Sequence, residues 1–125
     1  MEKLEAKVKC VKVCNVTRNA VLGEKVRLAE SLAARAIGLL ATPSLQPGEG
    51  LWLKPCTSVH SFFMRYPIDI VFLDADHTVL SCQTLTPWRF SRWFSKSRSV
   101  IELPAGTVQR SVTSAGDRIE FMGVN

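Results

Sequence analysis

The chain has 125 residues, of which 46% are hydrophobic and 22% are charged. A chain of this length buries roughly two-thirds of its extended surface on folding, so a single domain over residues 1–125 needs neither disulfides nor a metal for stability. Sixteen Lys and Arg residues against eleven Asp and Glu residues give a net charge of +5. This excess excludes a protein whose whole surface binds nucleic acid, but it is compatible with one basic patch.

The ends and the cysteines indicate the cellular compartment. The first residues lack the basic segment and long apolar run of a secretory signal, and no stretch is long and apolar enough for a transmembrane segment. We therefore expect a cytoplasmic protein. The cysteines lie in apolar runs without CxxC spacing, at positions Cys10, Cys14, Cys56 and Cys82. We expect them to be reduced thiols in the core.

Alternating apolar and polar residues, and short runs of β-branched and aromatic residues, predict a series of strands. In chain order the predicted strands are 4–16 with a bulge near Cys10, 20–22, 26–28, 51–53, 59–64, 68–73, 79–85, 100–103 and 119–122. The pair Gly23–Glu24 is expected to form a turn between two of them. The run 68–73 is apolar on both faces, which is typical of a central strand covered on both sides.

One main α-helix is predicted over about 32–41. Ser31 is a good N-cap, apolar residues recur behind it at helical spacing, and Pro43 ends the helix because proline cannot donate a hydrogen bond. Many short strands around one helix predict an α+β domain built on a small, strongly bent β-sheet or a partly open β-barrel.

The sequence contains no phosphate loop, GxGxxG, HExxH, paired CxxC or GxSxG motif. We therefore predict no cofactor, and an enzyme is less favoured than a non-catalytic domain. Cys56, His60 and Met64 offer a thiol, an imidazole and a thioether, which suit a soft metal. On a strand, however, four residues span about 13 Å, too far for one ion to join two ligands. Cys56 and His60 are therefore weak metal candidates, and structural packing is favoured.

Two acidic residues lie within apolar strands. Asp69 needs a partner, because an unpaired carboxylate in such a setting is costly. The favoured interpretation is that it accepts N–H groups of the preceding loop or binds Arg65. The alternative pairs it with His60 as the base and Cys56 as the nucleophile. Glu102 either caps the Pro-Ala-Gly turn that follows it or lines a pocket together with Asp69.

Segment 88–98 carries four cations, four aromatic rings and no acid, so it contributes +4 of the net +5. Cations interleaved with rings suit stacking on single-stranded bases or insertion at an anionic membrane surface. The alternative is a loop whose tryptophans fold onto the core while its charges stay solvated. In either case we expect the four cations to be exposed, namely Arg89, Arg92, Lys96 and Arg98.

Five pieces of sequence occur in an order that resembles a known family. They are Arg35-x-x-Gly38-Leu39-Leu40, residues 48–53, Phe63-Met64 through 67–74, residues 102–106, and Gly116-Asp117. Over about 24–122 the chain resembles the uncharacterised prokaryotic family called domain of unknown function 192. The resemblance implies a small, β-rich single domain with one helix, and it implies no established activity.

We therefore expect a non-catalytic accessory or binding domain of unknown ligand, with Met64, Asp69, Glu102 and Gly106 around one side of the sheet. The first alternative is a binder of nucleic acid or an anionic membrane surface through 88–98, a segment that could also bind a protein partner. The second alternative is an enzyme or metal site at Cys56, His60 and Asp69. The candidate ligand-binding or partner-binding residues are His60, Met64, Asp69, Glu102, Trp88, Arg89, Arg92, Trp93, Lys96 and Arg98.

Overall fold

The computed structural model describes residues 9–30 and 44–124. These residues form strands and one short helix, in the order β1 (Cys10–Asn15), β2 (Ala20–Ala29), β3 (Glu49–Leu53), β4 (Ile68–Leu73), β5 (Val79–Leu85), β6 (Ser99–Pro104), α1 (Thr107–Ser111) and β7 (Ile119–Val124). The helix predicted over 32–41 lies outside the described residues. In the described part the fold is mostly β.

All seven strands belong to one sheet, in the order β5-β4-β6-β3-β2-β1-β7. Strands β2 and β3 pair in parallel, and the other neighbours pair antiparallel. The two edge strands approach each other where they begin, because Thr78 forms a bridge with Arg118 and the Val79 N–H donates to the Asp117 carbonyl at 2.8 Å. The sheet is therefore curled into a half-barrel, which confirms the predicted strong bend.

The curled sheet buries side chains on both of its faces. The inner face collects apolar residues from every strand: Val13, Leu22, Val26, Trp52, Val71, Leu73, Val79, Ile101, Leu103 and Ile119. The outer face has its own cluster on β2 to β6, with two further residues from a loop: Ala29, Leu51, Leu53, Val59, Met64, Ile68, Ile70, Phe72, Leu85 and Val100. Strand β4 is buried along its whole length, as its sequence predicted.

The turn predicted at Gly23–Glu24 is wrong, because both residues lie inside the long strand β2. A Cβ atom at Gly23 would lie only 2.7 Å from a methyl group of Val26 and 3.2 Å from the carbonyl oxygen of Gly48. Glycine is needed here for close packing rather than for a change of direction. The pairing of β1 with β2 is irregular on both sides of Val13, slightly beyond the bulge predicted near Cys10.

The strand predicted over 59–64 is also wrong. Within it His60 forms an isolated bridge with Phe90, and Phe62 and Phe63 form a turn. The separation of about 13 Å that was inferred for Cys56 and His60 assumed an extended strand. The spacing of four residues between Cys56 and His60 therefore does not by itself exclude a shared metal.

Candidate functional site

Two loops, 57–67 and 86–98, lie side by side against the outer face of the sheet and are joined by hydrogen bonds. Backbone N–H groups donate across them from Ser61 to Arg89 (2.9 Å), from Ser91 to Val59 (2.8 Å) and from Phe94 to Thr57 (3.1 Å). The hydroxyl of Ser91 accepts the Val59 N–H at 2.8 Å. The hydroxyl of Ser61 donates to the Thr86 carbonyl and accepts the Arg89 N–H at 3.0 Å. The loops are therefore one structural unit.

Three apolar side chains fix this unit to the outer face of the sheet. Val59 and Met64 are buried in the outer cluster, and the half-buried Phe94 packs with its ring centroid 4.6 Å from that of Phe72. Met64 was a candidate binding residue, but the structure places its side chain in the core. It positions the loop and does not face a partner.

The other aromatic side chains of the two loops face outward. The exposed fractions are 68% for Phe63, 54% for Trp88, 72% for Phe90 and 66% for Trp93. Side chains of this size are usually buried, and exposed apolar patches mark interaction sites. The alternative that both tryptophans fold onto the core is therefore wrong. It is Phe94, next to Trp93, that occupies this inward position.

Several of these rings contact one another. The half-buried Phe62 lies 4.7 Å from Phe90 and 5.9 Å from Trp88, measured between ring centroids, and Phe63 lies 4.7 Å from Trp88. The ring of His60, another candidate, is exposed and lies 5.2 Å from Phe62. Phe62, Phe63, Trp88 and Phe90 therefore form a continuous apolar cluster that spans both loops.

Two of the exposed aromatic residues have an unusual backbone conformation. Phe63 has φ 69° and Trp88 has φ 64°, in the left-handed region that bulky residues rarely adopt. The carbonyl of Ser61 accepts the N–H of Trp88 at 3.0 Å and that of Met64, next to Phe63, at 3.1 Å. Such strained residues cluster at functional sites, where the surrounding structure holds them in place.

The charges of the two loops are all positive. Loops 57–67 and 86–98 contain five cations and no acid. All five are exposed, which confirms the exposure expected for the four in 88–98: Arg65, Arg89, Arg92, Lys96 and Arg98. Within residues 9–30 and 44–124, none of them forms an ion pair; the pair present there joins Arg18 to Asp117. We refer to the exposed rings and cations of these loops as the aromatic–cationic surface.

Asp69 has a structural role on the inner face of the sheet. Its side chain is 1% exposed, and its Oδ1 accepts the Thr84 hydroxyl at 2.7 Å. Its Oδ2 accepts the N–H groups of Gly106 at 3.0 Å and Val108 at 2.9 Å. Asp69 is therefore buried and partnered, as predicted, but it bonds neither the preceding loop nor Arg65. It stabilises the start of α1, where Gly106 has φ 99°.

Glu102 lies on the opposite face from Asp69. In the pairing of β4 with β6, Asp69 faces Leu103 and Glu102 faces Ile70, and neighbouring residues of a strand point to opposite faces. The hypothesis that the two carboxylates line one pocket is therefore wrong. Capping of the Pro-Ala-Gly turn, which was the other hypothesis for Glu102, is performed by Asp69.

The environment of Glu102 is strongly apolar. Its cross-strand neighbours are Leu51 and Ile70, and its side chain is buried. Burial raises the pKa of Glu102 to about 7. Burial, and then the negative charges of Glu102 and Glu49, raise the pKa of the Tyr66 hydroxyl. Glu102 is thus a buried acid near Tyr66, well away from the inner-face hydrogen bonds of Asp69.

The hypothesis of a site made from Cys56, His60 and Asp69 receives no geometric support. Cys56 packs against the outer cluster and its thiol donates to the Ser58 carbonyl at 3.1 Å. His60 accepts the Phe62 N–H at Nδ1 (3.3 Å). The Asp69 oxygens accept hydrogen bonds from other groups on the inner face. In the described part of the chain, no cluster of three or more His, Cys, Asp or Glu residues is arranged to hold a metal.

The cysteines form no disulfide, which agrees with the predicted reduced thiols. All four are half-buried, and Cys56 and Cys82 pack against the two apolar clusters, so the expected core position holds for these two only at the margin of the core. Burial, followed by the charges of Asp117 and Asp69, raises the pKa of Cys82 to about 11. Within residues 9–30 and 44–124, no helix has the length and apolar character required to cross a membrane.

Sequence reasoning missed the contribution of loop 57–67 to the surface. The loop contains Phe62, Phe63 and Arg65 and lacks acids, which is the same composition that singled out 88–98. Its run of apolar residues also matches a strand, and this match obscured the similarity to 88–98. The absence of any acid from 54 to 68 was the available signal.

The fold defines a small, mostly β domain with a curled sheet, and comparisons with known proteins identify its family. The model of the family DUF192, described as uncharacterized ACR, matches residues 13–121. The chain belongs to this family, in agreement with the resemblance found in its sequence.

Relatives in archaea are similar along most of the chain. The UPF0127 protein PH1112 of Pyrococcus horikoshii is 32% identical over 115 residues, which cover 87% of this chain and 97% of the relative. A UPF0127 protein of Thermococcus sibiricus is 31% identical over 111 residues, covering 86% of this chain and 72% of the relative. Neither name states an activity.

A crystal structure of a protein of unknown function from Novosphingobium aromaticivorans has a similar fold. Its TM-score is 0.77 at 23% sequence identity, and the match covers 90% of this chain and 84% of that chain. At this identity the similarity shows the fold alone.

Proposed function

We propose that this protein is a non-catalytic binding domain that binds an anionic partner through the aromatic–cationic surface. One observation carries the proposal: four highly exposed aromatic side chains and five exposed cations, with no acid among them, lie on two hydrogen-bonded loops. The candidate binding residues Met64, Asp69 and Glu102 are buried, whereas the rings and cations of these loops are accessible to a partner.

The surface is built before any partner arrives. The hydrogen bonds of Ser61 and Ser91 and the packing of Phe94 on Phe72 hold both loops in place. A preordered surface loses less conformational entropy on binding than a flexible loop does. The cations attract an anionic partner over a distance of about 8 Å at physiological salt, and the rings provide the contact area.

Charge-matched variants test this proposal. In the site variant, Arg89, Arg92, Lys96 and Arg98 are all replaced by Gln. In the control variant, four exposed cations elsewhere are replaced by Gln: Lys25, Arg27, Arg110 and Arg118. Both variants lose four charges, so both have a net charge of +1 (5 − 4). Any difference between them therefore reports the position of the charge and not its amount.

Binding is measured to a fluorescent single-stranded oligonucleotide and to anionic vesicles at low and physiological salt. We expect the wild-type protein to bind at least one probe, with affinity falling as salt rises. The site variant should bind at least tenfold more weakly, while the control variant stays within about threefold of the wild type. Equal losses in both variants, or no binding of either probe by the wild type at low salt, would contradict the proposal.

A further inference from the structure

We infer that the anionic partner is the surface of a lipid bilayer, into which the rings of the aromatic–cationic surface insert while its cations contact the lipid phosphates. This inference rests on the proposed function and names the partner class for the same surface. A single-stranded nucleic acid is the competing partner, because it also combines phosphates with apolar rings. Three features of the structure favour the bilayer.

The first feature is the way in which the rings pack. The rings meet at steep angles, with Phe62 and Phe90 4.7 Å apart at 63° between ring planes and Phe63 and Trp88 4.7 Å apart at 57°. Rings in mutual contact at such angles present one continuous apolar projection rather than a row of parallel stacking platforms. Such a projection suits a lipid interface, because the rings can insert among lipids without each ring having to align with a base of the partner.

The second feature is the polarity of the most exposed rings. Phe63 and Phe90 are 68% and 72% exposed and carry no hydrogen-bonding group. Trp88 and Trp93 have an apolar body with one N–H group, a combination that is enriched at membrane–water interfaces. Purely apolar tips beside tryptophans are expected for insertion among lipid headgroups and contribute nothing to reading base edges.

The third feature is that the polar side chains between the rings already have partners. The hydroxyl of Ser61 donates to the Thr86 carbonyl, and that of Ser91 donates to the Arg92 carbonyl at 2.8 Å. The Nδ1 atom of His60 accepts the Phe62 N–H. These three groups hold the loops together, so the outward surface around them is dominated by rings and cations. Phosphate contacts by cations beside inserted rings are the pattern of a peripheral, anionic-lipid-binding surface.

The test measures the contribution of the exposed rings while the number of charges stays the same. In the ring variant, Phe63→Ser and Phe90→Ser remove the two most exposed rings and leave all five cations. In its control, Val112→Ser and Met122→Ser remove two exposed apolar side chains, 59% and 45% exposed, from other parts of the molecule. Because all four positions are exposed, both variants are expected to fold, and thermal melting curves verify this.

Binding is measured by co-sedimentation with vesicles of equal parts phosphatidylglycerol and phosphatidylcholine, with pure phosphatidylcholine vesicles and with a thymidine oligonucleotide. We expect wild-type binding to the anionic vesicles, a shift of tryptophan emission to shorter wavelength, and at least tenfold weaker binding to phosphatidylcholine alone. The ring variant should bind anionic vesicles at least tenfold more weakly, while its control keeps wild-type affinity.

The outcomes distinguish the two proposals. Oligonucleotide binding without vesicle binding would overturn the bilayer inference and leave the proposed function intact. Vesicle binding that the ring variant retains would also overturn it, because the rings would then not insert. Failure to bind any of these probes at low salt would overturn both proposals. Loss of vesicle binding in the ring variant alone, with an emission shift in the wild type, would support insertion.

Discussion

Asp69 Oδ2 accepts the backbone N–H of Gly106 at 3.0 Å and so connects the central strand β4 to the turn that follows β6. Gly106 adopts φ 99°, and the same carboxylate oxygen accepts the N–H of Val108 at 2.9 Å. A helix begins with N–H groups that have no partner within the helix. The residues at the start of α1 provide no side-chain cap, and Asp69 on strand β4 supplies the missing acceptor.

We expect Asp69→Ala to destabilise the protein strongly, because it leaves the N–H groups of Gly106 and Val108 without their acceptor. The cost is about 1–3 kcal/mol for each donor that loses its partner. Chemical denaturation of both proteins measures it. The exposed Asp76 provides the control, and its replacement by Ala is expected to change stability by no more than about 0.5 kcal/mol. Equal stability of Asp69→Ala and wild type would show that this hydrogen bonding is dispensable.

The strands β4 and β5 could be predicted to the residue, because β4 is an apolar run, β5 begins and ends with apolar residues, and both are bounded by turn residues. The same reasoning failed for 59–64, since aromatic residues favour strands whether their rings are buried or exposed. Position 23 holds glycine, a typical turn residue, although it lies inside a strand. Glycine is needed there because any side chain would collide with Val26. Local patterns therefore identified the elements but not the contacts that modify them.

The candidate site also has features that could be predicted from the sequence and features that could not. The exposed cations of 88–98 were predictable, because a run of charges without acids is rarely buried. The separation of Asp69 from Glu102 could not be predicted, because it depends on the register between β4 and β6, in which each of the two carboxylates faces a residue more than thirty positions away. A shift of one residue in that register would place both carboxylates on the same face of the sheet. The sequence alone contains no direct signal for the register of such distant strands.

We expect stability to fall between about pH 5 and 8 because of Glu102. Its pKa is about 7 in the folded protein, above the usual value of 4.5, so the folded state retains a proton that the unfolded state releases. The stabilising effect of this proton is complete below the unfolded pKa and is lost as pH rises through the folded pKa. The expected loss for this group is on the order of 3 kcal/mol.

The variant Glu102→Gln isolates this effect, because its side chain stays neutral at every pH. The difference in free energy of unfolding between wild type and Glu102→Gln should change in favour of the variant as pH rises from 5 to 8. Tyr66 and Glu49, the titratable neighbours identified near Glu102, are present in both proteins. The exposed Glu120 replaced by Gln serves as the control. A difference that is constant with pH would show that Glu102 is not a buried acid with a raised pKa.

Asp117 is expected to give the opposite pH dependence. Burial alone would raise its pKa, but hydrogen bonds from Asn15, Ser114 and Arg18 outweigh burial and lower it. Its stabilising effect is therefore present above the unfolded pKa, about 3.9, and is lost as pH falls through the lower folded pKa. We expect Asp117→Asn to cost about 1–2 kcal/mol at pH 7.

Denaturation at a series of pH values from 7 to 2 tests this expectation. The stability gap between wild type and Asp117→Asn should narrow once pH falls below about 4. The exposed Asp76 replaced by Asn should show no comparable gap. A gap that widened in acid would mean that the folded protein raises the pKa of Asp117.

The last prediction concerns Ser61, which is fully buried beneath the aromatic–cationic surface. Ser61→Ala changes no ring and no charge, but it leaves the Arg89 N–H and the Thr86 carbonyl without the hydroxyl that joins them. We expect a loss of about 1–3 kcal/mol in stability. Because the exposed rings depend on this hydroxyl for their position, affinity for anionic vesicles should also fall several-fold.

Amide hydrogen exchange distinguishes a loosened surface from general instability. In Ser61→Ala the amides of Trp88 and Arg89 should exchange faster relative to those of the buried strand β4. The exposed Ser95, in the same loop, provides the control, and Ser95→Ala should leave both exchange and binding unchanged. If Ser61→Ala accelerated exchange at Trp88 and Arg89 while vesicle affinity stayed at the wild-type value, the fixed arrangement of these rings would not be a requirement for binding.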